Sequence, residues 1–321
     1  MKALTSGRIT TIIVITAVYA VIKALMLVGV IDAYYEITLV NIGVNIMLAV
    51  SLNLITGFTG QFSLGHAGFM AIGAYTCAII NLRLQSLPGF LFGVLMAAVL
   101  AAIVGILIGI PTLRLKGDYL AIATLGMAEI IRVVFLNLDI TNGAVGLSGM
   151  HRYINWEWLF FFMAATVLCI NNFIRSSHGR ACVSIREDEV AAESMGINIT
   201  KYKTVAFAIG AFFAGVAGAV HSSYFNYIAP MHFGFLKSID ILVIVVLGGM
   251  GSISGSIIAA VLLAVVTTYL QAFPELRMII YSVLLVAIMI FRPQGIMGSR
   301  ELALDKFFRK RVVRNGASEN R

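Results

Sequence analysis

Charge is scarce in this chain. Of its 321 residues only 12% are Asp, Glu, Lys or Arg, against about 25% in a soluble globular domain. So few charges cannot cover a surface that meets water on every side, which excludes a soluble globule. Cysteine is scarce too. Cys77, Cys169 and Cys182 form no C-x-x-C pair, so no disulfide framework is available and free thiols are expected. Several motifs are absent. No G-x-x-x-x-G-K-[ST] phosphate loop occurs, so any ATP that drives this protein is hydrolysed by another chain. Neither a two-histidine metal motif nor a G-x-S-x-G elbow is found. No metal site, cofactor or catalytic residue is therefore expected.

Apolar residues take the place of charge: 60% of the chain is hydrophobic, with a mean hydropathy of +0.96. A spanning helix needs about 20 mostly apolar residues. Such runs fall near 9–31, 37–56, 62–80, 90–110, 118–137, 156–174, 204–224, 238–248, 253–273 and 277–291. The fold class is thus an all-α polytopic membrane protein of about ten transmembrane helices. The third run is rich in glycine and the eighth is short, so each reads as a broken or re-entrant helix. The first run follows Lys2 and Arg8 as a signal peptide would. No small-x-small cleavage site follows, however, and the apolar stretch continues past Lys23, so it reads as a retained span.

Positive charge orients this layout. With the N-terminus inside, Lys2 and Arg8, Arg114 and Lys116, the cations from Arg175 to Lys203 and all those from Arg292 onward share one side. The other side receives Arg83, Arg152, Lys237 and Arg277, while Lys23 and Arg132 lie within spans. Cytoplasmic loops collect Lys and Arg, so both termini read as cytoplasmic. The net charge of +8 is then a product of loop placement and implies no nucleic acid. The tail 299–321, with its "KFFRKRVVR", suits an anionic lipid surface. Within the spans, Ala97, Ala101, Gly105 and Gly109 recur every four residues, as do Gly210, Ala214 and Gly218. These stripes read as close helix packing.

One stretch breaks the apolar pattern: "GFTGQFSLGHAGF", Gly57 to Phe69. Non-helical backbone at membrane depth survives only where protein buries it or water reaches it, and in transporters such breaks line the substrate route. Its spacing Gly57-x-x-Gly60-x-x-Ser63 returns as Gly248-x-x-Gly251-x-x-Ser254, a pairing that suggests an internal repeat. Gln61 and His66 add polar groups to the first break. Ahead of it, Asn41, Asn45, Asn53 and Thr56 share one arc of a helix. That stripe suits interhelical hydrogen bonding and a wet pathway wall equally. Glu129 and Arg132 are three residues apart and can pair on one helix face.

The longest cytoplasmic connection, 175–203, carries "SIREDEVAAESMGI". Ser184 and Glu187 have the S-x-x-E spacing of a capping box. They predict a helix over Ile185–Met195, with Gly196 as a left-handed C-terminal cap. Ile185, Val190 and Met195 would be its apolar points. A short capped helix hung between two spans suits docking to a partner.

"EVAAESMGI" resembles the E-A-A-x-x-x-G loop of bacterial ABC importer permeases, which inserts into a groove on the ATP-hydrolysing subunit. Ala191, Ala192 and Gly196 match; the acidic residue, Glu189, stands one place early, with Val190 between. "GFTGQFSLGHAGFMAIGAY", "GDYLAIATLGMAEIIRVV", "TNGAVGLSG", "IREDEVAAESMGI", "LGGMGSISGS" and "FRPQGIMG" occur in this order along the chain. Together they resemble the LivM-type permease family from about residue 37 to 298. That resemblance implies ABC importer permease architecture over 1–298, in a bacterial cytoplasmic membrane, moving branched-chain amino acids. It implies as partners a LivH-type permease, two cytoplasmic ATPases that use the ATP, and an extracytoplasmic binding protein. Urea, short amides or other amino acids are alternative cargoes. An ion-coupled carrier using Glu129, Asp240 or His66 is the alternative of a different class.

Overall fold

The computed structural model describes residues 16–29, 32–115, 117–269, 283, 286 and 295–298. A helix α1 spans Thr16–Leu27. Contacts set apart a unit running from Thr38 to Ser299. α2 (Ala33–Asn53) leads into this unit and passes into a π-turn over Leu54–Phe58. Then come α3 (His66–Arg83), α4 (Leu87–Thr112), α5 (Asp118–Asn137) and α6 (Trp156–Arg175). Two short helices, α7 (Ser177–Glu187) and α8 (Glu189–Ser194), precede the long α9 (Ile199–Phe225). α10 (Phe235–Gly248) and α11 (Ile253–Tyr269) complete it.

Among the described residues six helical segments are long and apolar enough to cross a membrane: Tyr34–Phe58, Leu87–Thr112, Asp118–Asn137, Trp156–Arg175, Ile199–Phe225 and Pro230–Gly248. The protein is an all-α polytopic membrane protein. The eighth expected span is longer than its apolar core suggested, because a 3-10 turn at Pro230–Phe233 extends it toward its N-terminus. The third is a continuous helix of 18 residues, and its break lies ahead of it rather than within it. Thr16–Leu27 and Ile253–Thr268 are shorter apolar helices. The tenth expected span and the tail from 299 lie outside the described residues, apart from isolated positions.

Side chains gain little in lipid by leaving hydrocarbon for one another, so backbones must approach closely to gain contact. α9 does this on several sides. A Cβ added at Gly218 would sit 2.0 Å from the Met70 carbonyl oxygen of α3. One at Gly215 would lie 2.7 Å from Ala101 Cβ of α4, and one at Gly210 would lie 2.5 Å from Ile55 Cδ1. The facing stripe on α4 answers in kind, with Gly105 against Ala211. The expected stripes do mark close packing: that of α4 meets α9 at Ala211 and Gly215, while Gly210 and Gly218 of α9 face the π-turn and α3.

Two contacts mark the ends of this bundle. At one end β1 (Leu147–Ser148) pairs antiparallel with β2 (Tyr227–Ile228) in the register Leu147↔Ile228. There Asn81 also donates to the His151 carbonyl at 3.0 Å. The loops after α3, α5 and α9 therefore share one end. The other end gathers the breaks after α2 and α10 with the α7–α8 connection.

Candidate functional site

At Asn53 the regular turns of α2 give way to the wider π-turn, a distortion that recurs at functional sites. Its loosened carbonyls find new donors. Thr59 Oγ1 donates to Leu54 O at 2.8 Å and to Ile55 O at 2.7 Å, and the Gln61 N–H reaches Ile55 O at 3.1 Å. The chain stays non-helical through Gly65 and becomes helical at His66. The break is therefore shorter than the glycine-rich stretch Gly57–Phe69, whose last four residues belong to α3.

The second break meets the first. α10 ends at Gly248, and Gly249 and Gly251 take φ of +107° and +87° before α11 begins. Asn53 holds this turn from across the bundle. Its Oδ1 accepts the Gly251 N–H at 2.8 Å, and its Nδ2 donates to Ser252 O at 2.9 Å and Ser256 Oγ at 2.8 Å. A Cβ on Gly57 would lie 1.8 Å from Asn53 Oδ1 and 2.3 Å from the Gly251 nitrogen. The "GIM" of "FRPQGIMG" closes the turn: Ile296 and Met297 N–H reach the carbonyls of Leu247 and Gly248 at 2.8 and 3.2 Å. Gly248 itself packs on Gly255 of α11, where a Cβ would find backbone at 2.5 Å. Paired breaks with similar spacing thus form one joint, although the first contains a π-turn and the second does not.

The other expected pathway residues do not all reach this joint. Asn45 Oδ1 accepts from Lys237 Nζ at 3.2 Å, while Asn41 is half-buried. Thr56 and Gln61 are buried, and neither the Thr56 hydroxyl nor the Gln61 amide finds a partner among the described residues. Ser63 is buried and its Oγ accepts from Gly65 N at 3.4 Å. His66 is fully buried against Ser51, Nε2 to Oγ 2.8 Å. Ser51 Oγ also lies 3.0 Å from Leu48 O. Ser254 sits 3.3 Å from Ser252 Oγ, the hydroxyl that accepts Gly255 N–H at the start of α11. No cluster suited to a metal ion occurs among the described residues.

The connection 175–203 departs from its expected capping. Ser184 lies inside α7, where its hydroxyl donates to Ala181 O at 2.9 Å, so Ser184 and Glu187 form no capping box. Ser176 caps α7 instead, accepting from Gly179 N. Asp188 then ends α7 and caps α8 through Val190 and Ala191 N–H, at 2.8 and 3.0 Å. A short acceptor placed immediately before the apolar turn outcompetes the more distant serine. Gly196 does adopt the left-handed conformation, φ +81°. Gly196 N–H bonds Glu193 O and Ile197 N–H bonds Ala192 O, the paired bonds of a Schellman cap. Glu189 pairs with the buried Lys203 of α9, bracing the connection. Ile185 turns inward, as does Ala192, whereas Val190 and Met195 are 73% and 83% exposed. Cys182 is also buried, which pushes its thiol up to about 11.

Arg186 was missed by sequence reasoning. It is the sole cation between Arg180 and Lys201. Its Nη1 donates to Gly57 O at 2.8 Å, so the short α7 touches the first break directly. Ser252 and Ser256 were missed as well, although they flank Ser254 in the same stretch. Glu129 and Arg132 pair as expected, Nε to Oε2 2.7 Å, with side chains 35% and 27% exposed. Glu129 also accepts the Phe235 N–H at 3.2 Å, which places its carboxylate at the start of α10.

Residues 34–289 match the family described as branched-chain amino acid transport system / permease component. The LivM permease protein of the high-affinity branched-chain amino acid transport system of Salmonella typhimurium is 38% identical over 287 residues. That match covers 78% of this chain and 67% of the relative. The LivM protein of Escherichia coli K12 is equally similar over the same shares. LivH of Escherichia coli K12 is 25% identical over 293 residues, 80% of this chain and 92% of LivH. No solved structure matches. The membrane helices, the family match and the LivM relatives agree: the chain belongs to the branched-chain amino acid transport permease family.

Proposed function

We propose that this chain is the LivM-type permease subunit of an ATP-binding-cassette importer that moves leucine, isoleucine and valine across a bacterial cytoplasmic membrane. The observation that carries the reading is the α7–α8 connection. It is capped at both helix starts, closed by Gly196 and braced by Glu189–Lys203, and it presents Val190 and Met195 outward. A rigid projecting knob of this kind serves docking, because little order remains to be gained on binding. Glu187, Ala191 and Gly196 belong to the docking surface, with Ser184, Glu189 and Ala192 supporting it from within.

In this reading the chain has ten spans with both termini cytoplasmic, and its basic tail lies on anionic lipid. A LivH-type permease completes the membrane part, and two cytoplasmic ATPases hydrolyse ATP. An extracytoplasmic binding protein delivers the amino acid and sets most of the selectivity. Gly60, Gln61, Ser63, His66, Gly248 and Ser254 lie in or beside the joint on the substrate route, with Asn41 and Asn45 further along α2.

Purification of the tagged chain from its native membrane tests this. A second permease, an ATPase and a binding protein loaded with a branched-chain amino acid are expected. A binding protein loaded with urea or an amide would overturn the cargo. Recovery of the chain without any ATPase would overturn the class.

A further inference from the structure

Arg186 stands where three parts of the chain converge. It lies in the last turn of α7, two residues before Asp188 starts α8. Its Nη1 donates to Gly57 O at 2.8 Å. In a regular helix that carbonyl would accept the Gln61 N–H, but Gln61 bonds Ile55 O instead. Arg186 thus satisfies a carbonyl that the break releases. A Cβ at Gly60, where φ is +71°, would lie 3.1 Å from Arg186 Cγ. One at Gly251, in the other break, would lie 2.7 Å from Arg186 Nη1. Glycines from both breaks leave room for this single guanidinium. Glu187, mostly exposed, accepts from Nε and Nη2 on its other edge.

A guanidinium carries five donors in a rigid fork, so it can hold a carboxylate and a backbone carbonyl at once. We propose that Arg186 is the positioning residue that carries movement of the α7–α8 connection to the paired glycine breaks, through its bond to Gly57 O and its contact with Gly251. This rests on the reading of that connection as the ATPase docking site. When α7 and α8 shift with the ATPase, the guanidinium either keeps Gly57 and Gly251 together or leaves them, and Glu187 retains the charge in both positions. Asn53 couples the two breaks further up, so they move as one joint.

The test uses the whole complex reconstituted in vesicles, with Arg186→Gln and Arg186→Lys. Uptake per ATP hydrolysed is measured beside the maleimide reactivity of Phe62→Cys, a half-buried position in the first break. The background carries Cys169→Ser, since Cys77 and Cys182 are buried. With Arg186 present, reactivity at position 62 should change on adding ATP. With Arg186→Gln, ATP hydrolysis should stay within about twofold while uptake per ATP falls about tenfold, and reactivity should ignore ATP. Arg186→Lys keeps the charge without the fork and should fall between the two; it decides by the same readouts if the glutamine variant fails to insert. Uptake per ATP within about twofold of the parent, or nucleotide-dependent reactivity that survives the substitution, overturns the proposal. Position 62 indifferent to ATP in an actively hydrolysing parent complex overturns the link alone. A parent chain that binds no ATPase overturns the docking reading itself.

Discussion

Asn53 Oδ1 accepts the Gly251 backbone N–H at 2.8 Å, across 198 positions of sequence. With Nδ2 on Ser252 O and Ser256 Oγ, one buried amide holds the turn between α10 and α11. Asn53→Ala leaves the Gly251 N–H without its acceptor, at about 1–3 kcal/mol for a buried group left unsatisfied, while Ser252 O keeps the Ser256 N–H at 3.1 Å. The variant should melt at a lower temperature in detergent than Asn41→Ala, which alters a half-buried position on the same helix. Size-exclusion thermal profiles of the two variants check this; equal profiles would remove Asn53 from the joint.

Gly57→Ala tests the close approach itself. The added Cβ would fall 1.8 Å from Asn53 Oδ1, so the alanine cannot enter without opening the joint. Gly126→Ala in α5 meets nothing within 4 Å and gains about 1 kcal/mol of helix propensity. Membrane-normalised uptake should be lost in the first and kept in the second. Loss in both would trace the defect to something other than the joint.

Legibility in the sequence depended on whether a residue's role was local. The small-residue stripes on α4 and α9 were readable because helical spacing alone puts them on one face. Gly196 was readable because a left-handed cap follows from the end of a helix. The Glu129–Arg132 pair was readable as an i, i+3 spacing. Ser184 misled because the S-x-x-E pattern ignores a better acceptor, Asp188, four residues on. Arg186 was illegible. Its partner Gly57 lies 129 positions away, and a lone cation in an acidic loop looks like ordinary solvated charge. The reach of Asn53 was hidden for the same reason, since a polar stripe does not say which helix it faces. The glycine spacing identified both breaks, but nothing in it says that they touch.

Gly196→Val isolates the connection proposed to dock the ATPase. No atom lies within 4 Å of the added Cβ, so steric crowding is absent and the cost is the backbone at φ +81°. That cost is about 1–2 kcal/mol for an L-residue. Gly196→Asn, which tolerates this conformation better, should lose less. Both should insert normally, with ATPase co-purification reduced more by valine than by asparagine. Unchanged co-purification and uptake in the valine variant would count against the knob as the docking element.

Glu129 and Arg132 separate the importer from an ion-coupled carrier. Arg132 Nε lies 2.7 Å from Glu129 Oε2, and the same carboxylate receives the Phe235 N–H. Both partners fix the carboxylate in place. Glu129→Gln keeps an acceptor for Phe235 but weakens the hold on Arg132, so the single variant should insert less well than the double variant with Arg132→Gln. A proton-carrying glutamate predicts the opposite pattern: normal insertion, uptake abolished by Glu129→Gln and no rescue in the double. Uptake normalised to inserted protein distinguishes these patterns.

The most direct test of the account is leucine uptake by vesicles holding this chain with the LivH-type partner, ATPases and binding protein proposed for it. Uptake should require ATP on the ATPase side, should persist after the proton gradient is collapsed, and should vanish when the ATPases are omitted. Leucine accumulation by this chain alone, driven by a proton gradient without ATP, would contradict the account.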